Sequence, residues 1–109
     1  MNAGPKYSRD GTRVEFWIAN MASSGSLTLQ TISLSWDGAY RNLKKVQLGV
    51  TTVWKGSEPP SSAVIGTSNG TLAAGAGKAL AFRFARSGRG APVAFAAAFS
   101  DGCGVSWKT

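Results

Sequence analysis

The chain has 109 residues, which is enough for one domain with a buried hydrophobic core. Twelve basic and five acidic residues give it a net charge of +7, which favours an anionic partner. Histidine is absent, cysteine occurs once and the five carboxylates are scattered, which excludes histidine-based catalytic triads and argues against zinc-type metal sites and paired-carboxylate hydrolysis. We therefore expect no enzyme, with no catalytic residue, no metal and no cofactor.

The chain opens with a polar segment. Residues 1–11 end in an Asp-Gly turn and are predicted to form a flexible lead-in to a single domain over residues 12–109. Residues 12–20 then alternate, with Val14, Phe16 and Ile18 on one face and Trp17 on the other, which is the period of a half-buried strand. No transmembrane segment or signal peptide is recognisable.

Residues 27–36, "LTLQTISLSW", give the strongest strand signal and contain a change of phase. Leu27 and Leu29 share one parity, whereas Ile32, Leu34 and Trp36 share the other. A β-bulge near residues 30–31, or a strand that crosses between sheets, accounts for the change.

Further short strands follow in the middle of the chain. "WDGAYRN" predicts a turn, and "LKKVQL" and "TTVW" predict strands on either side of Gly49. Pro59 and Pro60 cannot lie inside a sheet because they lack amide donors, so we predict a stiff surface connector there.

The C-terminal part contains three more strand signals, "ALAFRFA", "APVAFAAAF" and "CGVSW". Short strands separated by turn residues predict an all-β fold, an antiparallel β-sandwich of about seven to eight short strands that is immunoglobulin-like. Within "APVAFAAAF", Ala94, Ala96 and Ala98 occupy the face where exposed strands normally carry Thr, Lys or Glu. Either the protein's own second layer covers these alanines, or they form a packing face for another subunit or another segment of the same polypeptide.

Three runs of the sequence together resemble a known family. They are "LTLQTISLSWDGAYRNLKKVQLGVTTVWKGSEPPSSAVI", "TLAAGAGKALAFRF" and "FSDGCGVSW". Their strand, turn and glycine elements from Thr31 through Val105 resemble the globular β-domain of bacterial type IV pilin-like proteins, in which it follows an N-methylated hydrophobic helix. Here the polar lead-in stands in place of that helix. The resemblance implies a non-catalytic structural or adhesive subunit of an extracellular surface filament, with other pilin-like subunits as partners. It also implies that Trp54 caps the core and that Gly56 turns the chain.

Two alternative functions depend on other residues. A small carbohydrate-binding module would bind polysaccharide with exposed aromatics, for which Trp17 and Tyr40 are the candidates, because Trp36 and Trp54 have inward parity. A DNA-binding minor pilin, or a protein that binds another anionic polymer, would use the basic segments "AYRNLKK" and "RFARSGR". The candidate anion contacts in these two segments are Arg41, Lys44, Lys45, Arg83, Arg86 and Arg89. Cys103 is interpreted as a buried core residue, with an intermolecular disulfide or a reactive thiol as alternatives.

Overall fold

The computed structural model of the chain describes residues 2–10, 12–20, 25–59, 61–68, 70–86, 91–100 and 104–108, and for residues 2–10 and 107–108 it describes the backbone only. Within these residues the chain forms ten strands and one short 3₁₀ helix, Gly38–Tyr40. The strands are β1 (Asn2–Asp10), β2 (Arg13–Ala19), β3 (Leu27–Trp36), β4 (Leu43–Leu48), β5 (Thr51–Glu58), β6 (Ser62–Gly66), β7 (Thr71–Leu72), β8 (Gly77–Phe84), β9 (Val93–Phe99) and β10 (Gly104–Lys108).

The strands form two antiparallel sheets that pack face to face. Sheet I has the order β1-β2-β8-β4-β5, and sheet II has the order β10-β9-β3-β6, with the short β7 paired to β3. The predicted fold class is therefore confirmed as a small antiparallel β-sandwich. The connection from β5 to β6 crosses between the sheets, and Pro59 lies on it, exposed.

Alternating apolar residues of both sheets fill the space between them. Phe16 of β2 and Phe82 of β8 face Phe95 of β9, with ring centroids 4.7 and 5.7 Å from that of Phe95. At one end of the core, Phe84 contacts Trp36, with ring centroids 5.6 Å apart. Because these rings come from both sheets, the aromatic contacts join the two layers.

The predicted β-bulge in β3 is confirmed. Leu29 pairs with Phe99 and Thr31 pairs with Ala98, so Gln30 is the extra residue of β3 in this pairing. Gln30 and Thr31 are both exposed, whereas Leu29 and Ile32 on either side are buried. The bulge thus lets one strand place apolar residues of opposite parity in the same core.

The N-terminal segment differs from the prediction. Residues 2–10 form β1, which pairs with β2 from Asn2↔Ala19 to Asp10↔Arg13, so the flexible lead-in predicted there is wrong. A polar strand that contains Pro5 gives no apolar period, but it suits the edge of a sheet, and Pro5 lies where the register shifts. With β1, the short β6 and the two-residue β7, the described part of the chain forms ten strands rather than the predicted seven or eight.

Candidate functional site

The outside of β3, β6 and β9 in sheet II carries a grid of small uncharged residues, and Lys108 of the neighbouring β10 pairs with Ala94 at its margin. We call it the small-residue face; its nine members are Thr31, Ser33 and Ser35 of β3, Ser62, Val64 and Gly66 of β6, and Ala94, Ala96 and Ala98 of β9. They lie in three rows, each containing one residue from each strand, such as Val64, Ser33 and Ala96. The strands alternate between this face and the core, because the residues between the members, such as Leu34 and Ile65, are buried, and Ala63 is partly buried against the core.

An open hollow of about 550 Å³ lies on this face, over β6, β3 and β9. Its lining includes the outward side chains of Ser33, Ser35, Val64, Ala94 and Ala96. No side chain among these is larger than valine, and Val64 is 74% exposed. The hollow can therefore accept the side chains or backbone of an apposed surface.

The alanines of β9 lie on the outside of the protein. Ala96 and Ala98 are exposed and Ala94 is partly exposed. The interpretation that the protein's own second layer covers them is therefore wrong, since the second layer packs on Val93, Phe95 and the other inward residues instead. What remains of the two interpretations is a face open to another chain or segment.

The fold brings the two predicted basic segments side by side at one end of sheet I. Strand β4, which follows Arg41, pairs with β8, so that Lys45 lies directly opposite Arg83. The amide of Arg86 donates a hydrogen bond of 3.0 Å to the Tyr40 carbonyl, next to Arg41. Lys44, whose Nζ lies 3.5 Å from the Ser57 hydroxyl, is exposed nearby. Arg89 lies outside the described residues.

Two further cations extend this cluster into a row across four neighbouring strands. Arg13 of β2 pairs with Arg83 of β8, Arg83 with Lys45 of β4, and Lys45 with Lys55 of β5. We call Arg13, Arg83, Lys45 and Lys55 the basic row. Directly paired residues share a face, and their inward neighbours Val14, Phe82 and Val46 are buried, so the row lies on the outside of sheet I.

Sequence reasoning missed Arg13 and Lys55 as members of this surface. Arg13 has the same parity as Trp17, which was predicted to be exposed, so alternation alone could have placed it on the outer face. Lys55 gives no such signal, because Val53 and Trp54 both turn toward the core at a register shift in β5. Its place beside Lys45 follows from strand pairing only.

The two aromatic candidates have different environments. Trp17 is 43% exposed on the outer face of sheet I, as predicted, and its indole lies over Gly77. Tyr40 is fully buried, its hydroxyl donates a hydrogen bond of 2.8 Å to the Ala91 carbonyl, and its ring lies 4.7 Å from that of Phe84. Tyr40 therefore cannot contact a ligand, and that prediction is corrected.

Trp36 and Trp54, the other tryptophans whose side chains the structure describes, argue against a flat aromatic binding surface. Trp36 is buried and its Nε1 donates a hydrogen bond of 2.8 Å to the Arg41 carbonyl. Trp54 is partly buried against the core, as predicted. Gly56, however, lies within β5 and does not turn the chain; a Cβ there would lie 2.9 Å from Trp54 Cζ2, so the glycine makes room for the indole.

The described residues contain neither a cluster of three or more potential metal-ligating His, Cys, Asp or Glu residues nor a helix long and apolar enough to cross a membrane. Cys103 lies outside the described residues, so the interpretations of its thiol stay predictions.

Comparison with known proteins adds no relative. No family model, no curated protein and no solved structure matches this chain. The pilin-like relationship stays a prediction that rests on the three sequence runs. The candidate sites are accordingly the small-residue face and the basic row, which lie on the outsides of the two different sheets.

Proposed function

We propose that the chain is a non-catalytic structural subunit of a bacterial surface filament of the pilin-like kind, and that it packs against a neighbouring copy through the small-residue face. The observation that carries the proposal is the absence of charge from the nine residues of this face, in a chain whose net charge is +7. Its mechanism is contact between subunits, which agrees with the lack of histidine and the scattered carboxylates.

Electrostatics favours this face for contact between identical chains. Two copies with a net charge of +7 repel each other, most strongly where cation meets cation. The basic row makes the outside of sheet I unsuitable for this contact. On the small-residue face, Ala96, Ser33 and Val64 let a second copy approach closely without burying an unpaired charge.

An open strand edge adjoins the face. Strand β6 is the last strand of sheet II and pairs only with β3 in the described sheet. Its free edge can hydrogen-bond with a strand of a neighbour, because an edge strand presents unpaired amide and carbonyl groups. Val64 and Gly66 belong to both the face and this edge, so one neighbour could contact both.

The size of the face indicates an array rather than an isolated dimer. Three strands about 4.8 Å apart and five residues along each give a flat area on the order of 200 Å². A stable pairwise interface buries about 800 Å² per partner, so this contact alone is too small. In a filament each subunit has several neighbours, and contacts of this size act together.

Site-directed photo-cross-linking in the cells that produce the protein tests the proposal. A benzophenone side chain replaces Ala96 on the small-residue face or, as the matched control, Thr52, which is exposed on sheet I. Filaments are then sheared from the cells and separated under denaturing conditions. We expect the chain in the sheared fraction, with a ladder of cross-linked multimers from position 96 and none from position 52. A chain missing from that fraction, or equal ladders from both positions, overturns the proposal.

A further inference from the structure

The basic row places like charges directly opposite each other on four neighbouring strands. Arg13/Arg83, Arg83/Lys45 and Lys45/Lys55 are three consecutive pairs of cations in lateral register. Such pairs destabilise a sheet, because side chains directly opposite each other are close neighbours. At one end of the row, Arg13 forms an ion pair with Glu15, with 3.0 Å between Nη2 and Oε2, and it also pairs across the strands with Asp10 of β1.

Among the residues that the structure describes, Arg83, Lys45 and Lys55 form no salt bridge, and Glu58 of β5 pairs with Leu43 rather than with a cation of the row. On β8 and β4 the next residues with the parity of the row are Ala81, which is buried, and Gln47, and both are uncharged. Asp37 is used elsewhere, since its carboxylate accepts a hydrogen bond from the Ala39 amide at the 3₁₀ helix. The folded protein thus tolerates a repulsion that an anionic ligand would relieve. Local conflicts of this type are expected where a surface binds something.

We propose that the basic row binds the phosphodiester backbone of a nucleic acid without reading its base sequence. Strands about 4.8 Å apart make the row about 14 Å long, with one cation at each step. Nucleic acid is a linear polyanion with a charge about every 3.4 Å along each strand, dense enough to meet every cation of the row. The two arginines can also bind phosphate oxygens with two parallel hydrogen bonds each.

An anionic membrane surface fits this face less well. Peripheral membrane binding by a basic surface is strengthened by apolar side chains that enter the bilayer. Among the described residues the exposed large hydrophobic ones are Trp17, Val50 and Val64. Val64 lies on sheet II, and Val50 lies at the tip of the β4–β5 hairpin. Trp17 lies four positions after Arg13 along β2, so none of the three lies in the row.

The test compares the substitution of Arg83, in the middle of the row, with the loss of one charge elsewhere. Arg83→Gln removes a cation that lies between two others. The matched control is Lys78→Gln, which removes one positive charge away from the row. Lys78 pairs with the core residue Ile18, and its Nζ donates a hydrogen bond to the Thr71 carbonyl. Binding of the chain to a labelled single strand and to the matching duplex is measured by fluorescence anisotropy over a range of salt concentrations.

The expected result is a salt dependence set by four phosphate contacts. The slope of log affinity against log salt should be about −3.6 for the duplex and about −2.8 for the single strand. Arg83→Gln should reduce the duplex slope to about −2.7 and weaken binding about eightfold at about 0.1 M salt, whatever the base sequence. Lys78→Gln should leave the slope unchanged.

A thermal melt of the free proteins separates loss of binding from loss of folding. Because Arg83→Gln removes two like-charge contacts, the free variant should melt at a higher temperature than the wild type while it binds more weakly. Equal slopes for the wild type and Arg83→Gln overturn the proposal. It is also overturned if neither nucleic acid binds while a sulfated polysaccharide or phosphatidylserine vesicles do.

Discussion

Asn20, a buried polar residue at the end of β2, offers a direct test of how the two sheets are joined. Its Nδ2 donates hydrogen bonds of 3.0 Å to the Leu72 carbonyl and 3.2 Å to the Gly25 carbonyl, and its backbone amide donates to the Ala76 carbonyl. Leu72 belongs to β7, which pairs with β3 of sheet II, so the amide group links the layers. Asn20→Ala should cost about 2–3 kcal/mol, because two hydrogen bonds are lost and a buried carbonyl is left without this donor.

The cost of that substitution translates into a measurable change in Tm. With an unfolding entropy of about 2.1 cal/mol/K per residue over 109 residues, a loss of 2–3 kcal/mol lowers Tm by about 9–13 °C. Differential scanning calorimetry and urea titration should agree on the change, provided that unfolding is two-state. A change below about 0.5 kcal/mol would show that water or a rearranged loop replaces the amide.

Asn20→Asp tests whether the donor or the shape of the side chain matters. The carboxylate would face the Leu72 and Gly25 carbonyl oxygens, so we expect Asn20→Asp to be less stable than Asn20→Ala at neutral pH. Burial beside these oxygens should raise the pKa of the new carboxyl in the folded state above its unfolded value of about 3.9. Stability relative to Asn20→Ala should therefore be best below about pH 4 and be lost as pH rises through the folded-state pKa. A flat difference between the two variants from acid to neutral pH would refute this reasoning.

Two further substitutions test the packing on each side of sheet I. In Gly77→Ala the new Cβ would lie 2.3 Å from Trp17 Cζ2, so the indole should leave the sheet. The indole N–H signal in an NMR spectrum should then move to the position of a solvent-exposed tryptophan. In the control Gly66→Ala, where a Cβ meets nothing within 4 Å, that signal should stay unchanged. Phe16→Ala removes a ring whose centroid lies 4.7 Å from that of Phe95 on the opposite sheet. It should lower the free energy of unfolding, measured by urea titration, by about 3–5 kcal/mol. A loss below about 1 kcal/mol would mean that the core collapses into the space left by the ring.

The strands with clear alternation could be predicted from the sequence, including the irregular one. In β3 the change of parity between Leu29 and Ile32 predicted either a bulge or a strand that crosses between the sheets, and the structure has the bulge, which brings both residues to the same core. Strand β1 was missed because its polar residues have no apolar period, and β7 because two residues cannot show one. Periodicity detects a strand only where one of its faces is buried.

The candidate sites depend on pairing between distant segments, which the sequence does not reveal. Lys45 and Arg83 were recognised as basic, but their contact, and the addition of Arg13 and Lys55, follows from the order β2-β8-β4-β5. Tyr40 was predicted as a candidate aromatic ligand contact, yet the 3₁₀ helix turns its ring into the core. Local sequence sets which face a residue occupies, whereas strand order sets its neighbours.

The two proposed surfaces can operate together because they lie on different sheets. Packing of copies through the small-residue face would leave the outside of sheet I free, so that a filament would carry one basic row per subunit. A single row of four cations binds weakly at physiological salt, because its affinity falls steeply as counterions compete. A long polyanion that meets several rows binds the second and later ones at a high effective concentration, which multiplies the affinity without any new type of contact. If both proposals hold, nucleic acid should bind assembled filaments far more tightly than isolated subunits. Ala96→Arg places a charge on the small-residue face and should remove that difference, while the basic row stays intact.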